Sequence, residues 1–470
     1  MKKMINLRFL IVLFLLFNGY CSIAGGKGYK IKFKINGLKD TTLYIGNHYG
    51  DKQYIRDTVR VDGLGNFVME GDDDIEGGIY FVLNGEKSML FEFFISEKFF
   101  SIETDSKDYL NNMKIKGSEE NIIFNNFNKF FAANRKIITD LEKQKQKYQN
   151  NKDSVDAISE RLKIQNKKIQ DYMEDVIKKN PKSLLTKIFL VNKPVDIPEA
   201  PEGDSTFALR YHQKHYFDFV DFSDERLLRT PVFHGKIYTY LDRLTYPFPD
   251  SIKVSAERIC ELSRVNKNVF RYVVSNLTYY YETSKYMGMD EVFVHLADKY
   301  YLSGEAWWAD TTIVRKIKER VDKIRPTLIG EIAYDVNFVD TSLRKTYSIH
   351  GVQADYTIVF LFDPDCGHCK KMTDTLQMNY DTLKMLGAEI YAINTQPEID
   401  KWKKYVKEKK IKWINVGPTS NEYRDYYDVY STPILYLLDK EKRIMAKRIG
   451  VGQLKDIIRR DIKRKKEKKG

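Results

Sequence analysis

The chain has few cysteines and few prolines, 4 and 12 among its 470 residues. So few cysteines exclude a scaffold held together by disulfides, and the overall composition excludes collagen-like or disordered architectures. Hydrophobic residues make up 43% and charged residues 30%, which is ordinary for a chain that buries a core. At about 100 to 200 residues per domain, the length predicts two to four domains.

A long hydrophobic run is also missing, and this decides how residues 1–24 are interpreted. Three basic side chains precede an apolar run of nine residues, Phe9–Phe17. Nine residues are too few to cross a bilayer, which takes about 20. Because the small residues of Ser22-Ile23-Ala24 follow, we interpret residues 1–24 as a secretory signal peptide. We therefore expect an exported protein of the periplasm or cell envelope.

Cys21 offers an alternative, a lipoprotein signal that would anchor the mature chain. Tyr20 and Asn18 fit such a signal poorly, since small or aliphatic residues usually precede the lipidated cysteine. We therefore favour cleavage over lipidation and leave proximity to the membrane open.

The formal net charge of +13 falls to +10 when residues 1–24 leave, because they hold three basic and no acidic residues. Much of the excess lies at positions 463–469, next to the C-terminus. A basic tail of this kind can contact nucleic acid or anionic lipid, but in an exported protein it is more typical of a solvated terminus. We predict no nucleic-acid partner.

Residues 25–117 have the pattern of short β-strands. Ile31, Phe33 and Ile35 alternate with lysines, which is the period of two expected of a half-buried strand. Further apolar runs follow at short intervals, separated by turn clusters such as the one at 62–66. The segment predicts an N-terminal all-β sandwich.

Residues 118–326 predict a helical middle region. Ser118 suits a helix N-cap, and apolar residues then recur three or four positions apart up to Tyr148, and again from Val155 to Val176. Two such segments joined by a short loop predict an antiparallel helical hairpin. The remainder is rich in aromatic residues, which we interpret as core.

The helical region contains two further candidate functional features, a cysteine and a pair of histidines, and neither predicts a site. Cys260 lies in a helical pattern and is interpreted as a small buried residue. His212 and His215 could form half of a metal site, but a spacing of three with no nearby Cys or Glu ligand is weak. We predict no metal.

Residues 327–470 alternate strand and helix patterns and contain a Cys-x-x-Cys pair. The buried-strand pattern of Tyr356–Phe362 leads directly to Cys366 and Cys369, and a helical pattern follows. A Cys-x-x-Cys pair at the strand-to-helix turn of a βαβ unit is a strong redox signal. The segment predicts an α/β domain whose chemistry lies at that turn.

The position of the pair explains why it would be reactive. At a helix start, free amide N–H groups and the helix dipole favour an anion, so the pKa of Cys366 falls from about 8.5 towards roughly 3.5–7.5. The thiolate is the nucleophile of disulfide exchange. Cys369, one helical turn later, can resolve the mixed disulfide. His368 can add positive charge or a hydrogen bond that stabilises the thiolate and makes the disulfide more oxidising.

Other roles for the pair fit less well. Zinc needs two further ligands, and no second Cys-x-x-Cys occurs. Haem attachment needs a histidine after Cys369, where Lys370 stands. A structural disulfide closing so small a ring would add little stability. We therefore predict catalytic Cys366, Cys369 and His368 with no dissociable cofactor, the redox-active disulfide itself being the centre.

The strand, Cys366-Gly-His-Cys369, the helix and Ser431-Thr432-Pro433 before a hairpin together resemble a thioredoxin-fold domain of the TlpA/ResA-like group of exported bacterial proteins. The resemblance covers about residues 327–465. It implies a cis peptide between Thr432 and Pro433, facing Cys366 and binding an extended substrate strand. It also implies extra strands near 328–330 and 336–338.

Two positions depart from the family pattern. Phe360 stands where thioredoxins carry a buried acid, and Met372 stands where the ResA-like group often has a glutamate. Cys369 therefore has no assigned proton acceptor, although Asp363, Asp365 and Lys370 lie nearby in sequence.

The leading hypothesis is an exported thiol–disulfide oxidoreductase acting on protein thiols and disulfides, with an upstream thiol protein as its electron partner. The alternative is an envelope binding or assembly protein, in which residues 25–326 recognise a partner and the redox domain is accessory. The direction of electron flow is left open.

Overall fold

A computed structural model describes residues 28–467 of the chain. The predicted signal peptide, with Cys21, and the last residues of the basic tail lie outside the described residues. Within residues 28–467, none of the helices combines the length and apolar character needed to cross a bilayer.

The N-terminal segment forms two four-stranded sheets. The strands are β1 Tyr29–Asn36, β2 Thr42–Tyr49, β3 Lys52–Arg60, β4 Asn66–Gly71, β5 Gly78–Leu83, β6 Met89–Ile95, β7 Phe99–Asp105 and β8 Lys114–Lys116. The sheet orders are β4-β1-β7-β8 and β3-β2-β5-β6, and all pairs are antiparallel except β1 with β7.

Alternation of apolar and polar residues builds the core of this sandwich. Ile31, Phe33 and Ile35 of β1 are buried in one cluster with residues of both sheets, while the intervening lysines lie outside it. The ring of Phe33 stacks on Phe67 with centroids 4.7 Å apart. The predicted all-β sandwich is confirmed.

Two long helices follow, α1 Glu119–Lys147 and α2 Lys152–Lys179. Ser118 is the N-cap of α1 and accepts a hydrogen bond from the backbone N–H of Asn121, as its position in the sequence suggests. Asn134 of α1 and Gln165 of α2 are both buried and bonded to each other by their amides. This polar pair favours one register of the hairpin, because a slip would leave the Gln165 amide and the Asn134 side-chain oxygen buried without their partners.

Asn121 ties α1 to strand β6. Its carboxamide accepts from the backbone N–H of Phe94 and donates to the carbonyl of Phe94, both at 2.7 Å, and the residue is buried. The ring of Phe94 stacks on Phe124 of α1 at 4.2 Å between centroids. Helix α1 therefore packs on the sandwich.

The chain divides into two compact units in a way that differs from the predicted single helical domain 118–326. One unit holds the chain up to Pro194 with Phe219–Asp221 and Glu225–Lys236, and the other holds Val195–Asp218, Phe222–Asp224 and Ile237–Gly470. The hairpin belongs to the first unit because of the contacts of α1 with β6. The remaining helices after Pro194 fall mainly in the second unit with the C-terminal domain.

Helical segments occupy the middle of the chain, as predicted. They are α3 Leu184–Asn192, α4 Phe207–His215, α5 Pro231–Thr239, α6 Pro249–Ser263, α7 Lys267–Glu282, α8 Asp290–Leu296 and α9 Thr311–Ile324, with π-helical turns continuing α5 and α8. Most of the large aromatic residues here are buried, so their interpretation as core holds for Tyr281, Phe293 and Tyr300. Tyr279 and Tyr286 are exposed.

The C-terminal domain is a seven-stranded sheet with helices against it. Its elements are β9 Phe338–Asp340, β10 Thr346–Tyr347, β11 Tyr356–Phe362, α10 Gly367–Met385, β12 Ala388–Asn394, α11 Ile399–Glu408, β13 Ile414–Pro418, α12 Tyr423–Tyr426, β14 Ile434–Leu438, β15 Ile444–Lys447 and α13 Val451–Glu467. The strand order is β10-β9-β13-β12-β11-β14-β15. Strands β11, β12 and β13 are parallel, and the outer pairs are antiparallel.

Every residue of the central strand β11 is buried, which explains its unbroken apolar sequence. Ile358, Phe360 and Phe362 pack on the face covered by α10 and α13, while Val359 and Leu361 pack in the cluster on the other face. The thioredoxin-like α/β fold predicted for the C-terminus is confirmed.

The extra strands implied near 328–330 and 336–338 are corrected in part. The segment 328–330 is not a strand, although Gly330 donates a hydrogen bond to Ile444. The paired extra strands are β9 and β10, so the second of them begins at Thr346. Isolated apolar residues around a Pro and a Gly were too weak a signal to place the first strand.

The attachment of α1 to the sandwich predicts a large effect of Asn121→Ala. Two backbone groups of Phe94 would be left buried without partners, so we expect a loss of about 2–4 kcal/mol in the unfolding free energy of this unit. Urea unfolding followed by far-UV circular dichroism checks it. Fluorescence gives an internal reference, since all four tryptophans lie in the other unit.

The matched control is Asn126→Ala, an exposed asparagine of the same helix. It removes no buried partner and should change stability by less than about 0.5 kcal/mol. Equal shifts for the two variants would contradict the role given to Asn121.

Candidate active site

The two cysteines lie where the central strand passes into the helix that follows it. Strand β11 ends at Phe362, and Cys366 is the N-cap of α10, with its sulfur accepting a hydrogen bond from the backbone N–H of Cys369 at 3.4 Å. The intervening turn is closed by Asp363, whose carboxylate accepts from Asp365 N–H and whose carbonyl accepts from Cys366 N–H. Ligands of α/β sheets bind at this carboxyl end of the strands.

The surroundings of the Cys366 sulfur favour the thiolate. Partial burial raises the pKa of Cys366, but hydrogen bonds from Cys369 and from the backbone N–H of His368, together with the Thr432 side chain, lower it further than burial raises it. The net pKa lies below that of an ordinary thiol. The first backbone N–H groups of a helix have no acceptor within the helix, and a sulfur at the N-cap accepts hydrogen bonds from them. These hydrogen bonds are the physical cause of the lowered pKa.

Cys369 differs from Cys366 in burial and in acidity. It is fully buried in the cluster between β11 and α10, and its sulfur accepts a hydrogen bond from the backbone N–H of Asp363 at 3.4 Å. Burial raises the pKa of Cys369, and the nearby charge of Cys366 raises it further. The pair therefore consists of an accessible acidic thiol and a buried weakly acidic one.

The loop before β14 faces the accessible sulfur. The Thr432–Pro433 peptide is cis, as the family resemblance implies, and the Cys366 thiol lies 3.6 Å from the carbonyl oxygen of Thr432. Thr432 is half-buried, and within residues 28–467 its backbone N–H donates no backbone hydrogen bond. An extended chain could pair with this backbone beside Cys366.

The other residues singled out at the motif have separate positions. The side chain of His368 is exposed, and among the described residues its imidazole hydrogen-bonds to neither sulfur, so the hydrogen bond that His368 gives to Cys366 comes from its backbone N–H. Asp365 forms an ion pair with Lys401 at 3.1 Å, and the Asp363 carboxylate accepts from Gln396. Each acid near the motif thus already has a partner.

The two departures from the family pattern have a structural counterpart. Phe360 stacks on Phe362 with centroids 5.3 Å apart, and Met372 packs against the same cluster, so the positions of both family acids are apolar here. The low polarity around Cys369 follows from these substitutions.

The sequence did not reveal a cluster of charges that holds the cis-proline loop. Asp428 is buried and accepts hydrogen bonds from Arg320 of α9 and from Arg448, which also donates to the hydroxyl of Tyr430 at 2.7 Å. Lys447, also buried, pairs with Asp290. The partners of Asp428 are separated from it by 108 and 20 positions, and no local pattern signals such pairs.

The remaining candidates lie away from the cysteine pair. Cys260 is fully buried in α6, and burial raises its pKa. His215 forms a hydrogen bond with the Asp218 carboxylate at 2.7 Å, and its ring lies at a tilt against Tyr211 with centroids 4.3 Å apart. In the part of the chain that the structure describes, no group of three or more His, Cys, Asp and Glu side chains is arranged to hold a metal ion.

Three protein-family models match the chain. Residues 29–124 match a domain of unknown function, DUF4369, residues 140–331 match a domain of unknown function, DUF5106, and residues 329–447 match the AhpC/TSA family. A comparison with curated proteins found no similar sequence.

Several solved structures are similar to parts of the chain. A thioredoxin-like protein from Bacteroides caccae is 20% identical, with a TM-score of 0.47, and the match covers 57% of this chain and 98% of that one. A domain of a possible thiol-disulfide isomerase from Cytophaga hutchinsonii is 37% identical over 30% of this chain and 97% of that one, with a TM-score of 0.28. The thioredoxin domain of a thiol-disulfide oxidoreductase from Bacteroides vulgatus is 25% identical over 28% and 96%, with a TM-score of 0.26.

The opposite pKa shifts of the two cysteines predict different pH profiles of alkylation. The thiolate reacts with iodoacetamide, so the rate at Cys366 should reach half its maximum below the value of about 8.5 for a free thiol, and the rate at Cys369 above it. Mass spectrometry of digested samples resolves each cysteine. Thr432→Val removes the side-chain hydroxyl that helps to lower the pKa of Cys366 and should move its midpoint upward.

The same cysteines in urea-unfolded protein provide the control. A folded-state midpoint for Cys366 equal to or above the unfolded-state midpoint would contradict the electrostatic account of this site.

Proposed function

Because residues 329–447 belong to the thioredoxin-like AhpC/TSA family, we propose that Cys366 and Cys369 make this chain an exported thiol–disulfide oxidoreductase acting on proteins. One observation carries the proposal. An accessible thiol of lowered pKa and a buried thiol of raised pKa lie one helical turn apart, beside an open backbone segment at Thr432. This is the asymmetry that a two-step disulfide exchange requires.

In the reducing direction, the Cys366 thiolate attacks one sulfur of a substrate disulfide. The substrate S–S bond breaks, a mixed disulfide forms, and the departing substrate thiolate takes up a proton from water. Cys369 then loses its proton and attacks the Cys366 sulfur, which releases the second substrate thiolate and forms the Cys366–Cys369 disulfide. Two electrons have passed to the substrate, and an upstream thiol protein returns them. The oxidising direction runs the same steps in reverse.

The mixed disulfide itself helps to activate Cys369. In the reduced protein, the charge of Cys366 contributes to the raised pKa of Cys369. Once Cys366 is bonded to substrate, that charge is gone, and the pKa of Cys369 falls accordingly. Deprotonation is thereby favoured at the step that needs it, in a site where Phe360 and Met372 replace the family acids.

His368 is proposed to set the redox poise through its position between the cysteines. Its backbone N–H stabilises the Cys366 thiolate, and a protonated imidazole on the exposed surface would add to this through its charge. Stabilising the thiolate stabilises the reduced form and makes the disulfide more oxidising. Thr432 and Pro433 are proposed to bind the substrate chain, and export is proposed on the signal-like residues 1–24.

The mechanism predicts different phenotypes for the two cysteine variants. Cys366→Ser should abolish disulfide exchange with a protein substrate such as insulin, because no accessible nucleophile remains. In the Cys369→Ser variant, Cys366 should still attack the substrate disulfide, but no second thiol can resolve the mixed disulfide that forms. This mixed disulfide should accumulate and be visible by non-reducing electrophoresis and mass spectrometry.

Cys260→Ser is the control, since this buried thiol lies in α6 outside the site. It should turn over at the rate of the unaltered protein. Turnover by Cys366→Ser equal to that of the unaltered protein would refute the proposed function.

A further inference from the structure

A cleft opens beside the cis-proline loop, where the helices of the second unit meet the thioredoxin-like domain. It has a volume of 870 Å³ and is lined by the segment from the end of α7 to the start of α8, by α9, and by loop residues that include Tyr430. We call it the Tyr430 cleft. Tyr430 is two residues before Thr432, so their Cα atoms are within about 7 Å of each other along the chain. The cleft therefore begins next to the site that faces Cys366.

The walls of the Tyr430 cleft carry exposed aromatic rings that lie outside the hydrophobic core. Tyr279, Tyr286 and Tyr430 are 63%, 77% and 67% exposed, whereas Tyr272 and Tyr281 of α7 are buried. Arg448 holds the Tyr430 ring in place through a hydrogen bond to its hydroxyl and a cation–π contact at 4.7 Å. Exposed tyrosines supply contact area at a low cost in side-chain entropy.

The cleft also has an excess of positive charge. Five basic side chains line it against three acidic ones. The buried Asp428 is shared by Arg320 and Arg448, and Glu282 lies 3.9 Å from Arg320, so these four charges balance and the excess is carried by Lys285 and Lys323. The side chain of Lys323 is half-exposed, and its ammonium group makes a long ion pair, 3.7 Å from the carboxylate of Asp425. Lys285 has no ion pair among the described residues. An occupant with carboxylates would complement this charge.

We propose that the Tyr430 cleft binds an acidic segment of the protein substrate, flanking the cysteine that exchanges with Cys366. The inference rests on the proposed function and names its substrate class. An extended chain that pairs with the Thr432 backbone reaches the cleft within two or three residues of its cysteine, since each residue spans about 3.4 Å. The carboxylates then meet Lys285 and Lys323, and neighbouring side chains meet the tyrosines.

The test uses the full chain in its reduced form and a set of short peptide disulfides. The peptides are homodimers with one cysteine each, flanked on both sides by two glutamates, two glutamines or two lysines. A neutral small molecule, 2-hydroxyethyl disulfide, reports on the cysteine pair without reaching the cleft. Rate constants for reduction are measured by chromatography at low salt and at about 0.5 M salt, where surface charges are screened.

We expect the glutamate peptide to react about fivefold faster than the glutamine peptide at low salt, and the lysine peptide to react more slowly than both. The preference should disappear at high salt. Lys285→Glu and Lys323→Glu should each reduce it, while Lys316→Glu, an exposed lysine of α9 outside the cleft, should leave it unchanged. All three variants should reduce 2-hydroxyethyl disulfide at the rate of the unaltered protein.

Equal rates for the three peptides, with normal reduction of 2-hydroxyethyl disulfide, would overturn this inference and leave the proposed function intact. A glutamate preference that survives both charge reversals would also overturn it, since the positive charge would then lie elsewhere. Failure to reduce any disulfide would instead count against the proposed function.

Discussion

The hydrogen bond from the backbone N–H of Cys369 to the sulfur of Cys366 is the interaction on which the site depends. It makes Cys366 the N-cap of α10, so one sulfur takes the place of the side-chain oxygen that usually caps a helix. The same bond begins the helix, lowers the pKa of Cys366, and places Cys369 one turn away with its sulfur turned inward. Local structure and reactivity thus have one cause.

The rest of the C-terminal domain keeps that helix start in place. Strand β11 is buried over its whole length, and α10 packs on it through Cys369, Leu376 and Leu383. Cys366 therefore follows a strand that is buried over its whole length and held by apolar packing on both faces. From the other side, Asp428 joins Arg320 of α9 to Arg448 and so links the cis-proline loop to the helices that precede the domain. The helical region contributes to the shape of the site as well as to the core.

The sequence predicted those features that depend on local pattern. Each of these patterns lies within one continuous stretch of sequence. They are the alternation of apolar and polar residues in β1, the three- and four-residue spacing of apolar residues in α1 and α2, and the Cys-x-x-Cys pair after an apolar strand. Pairs distant in sequence were missed, among them Asn121 with Phe94, Asn134 with Gln165, and Asp428 with its two arginines. From the sequence, a polar residue in a helix or a turn is expected to be solvated. Only a partner 27, 31 or 108 positions away makes its burial favourable. The division into two units was missed for the same reason.

A redox equilibrium titration of the Cys366–Cys369 pair tests the central claim most directly. The full chain is equilibrated in glutathione buffers of known potential, and the fraction of the pair in the disulfide form is measured by thiol labelling and mass spectrometry. The account predicts a single two-electron transition at a potential above about −300 mV, the upper limit typical of structural disulfides, because the thiolate of Cys366 is stabilised in the reduced state. A pair that forms no disulfide in the most oxidising buffer, or whose potential lies below that limit, would contradict it.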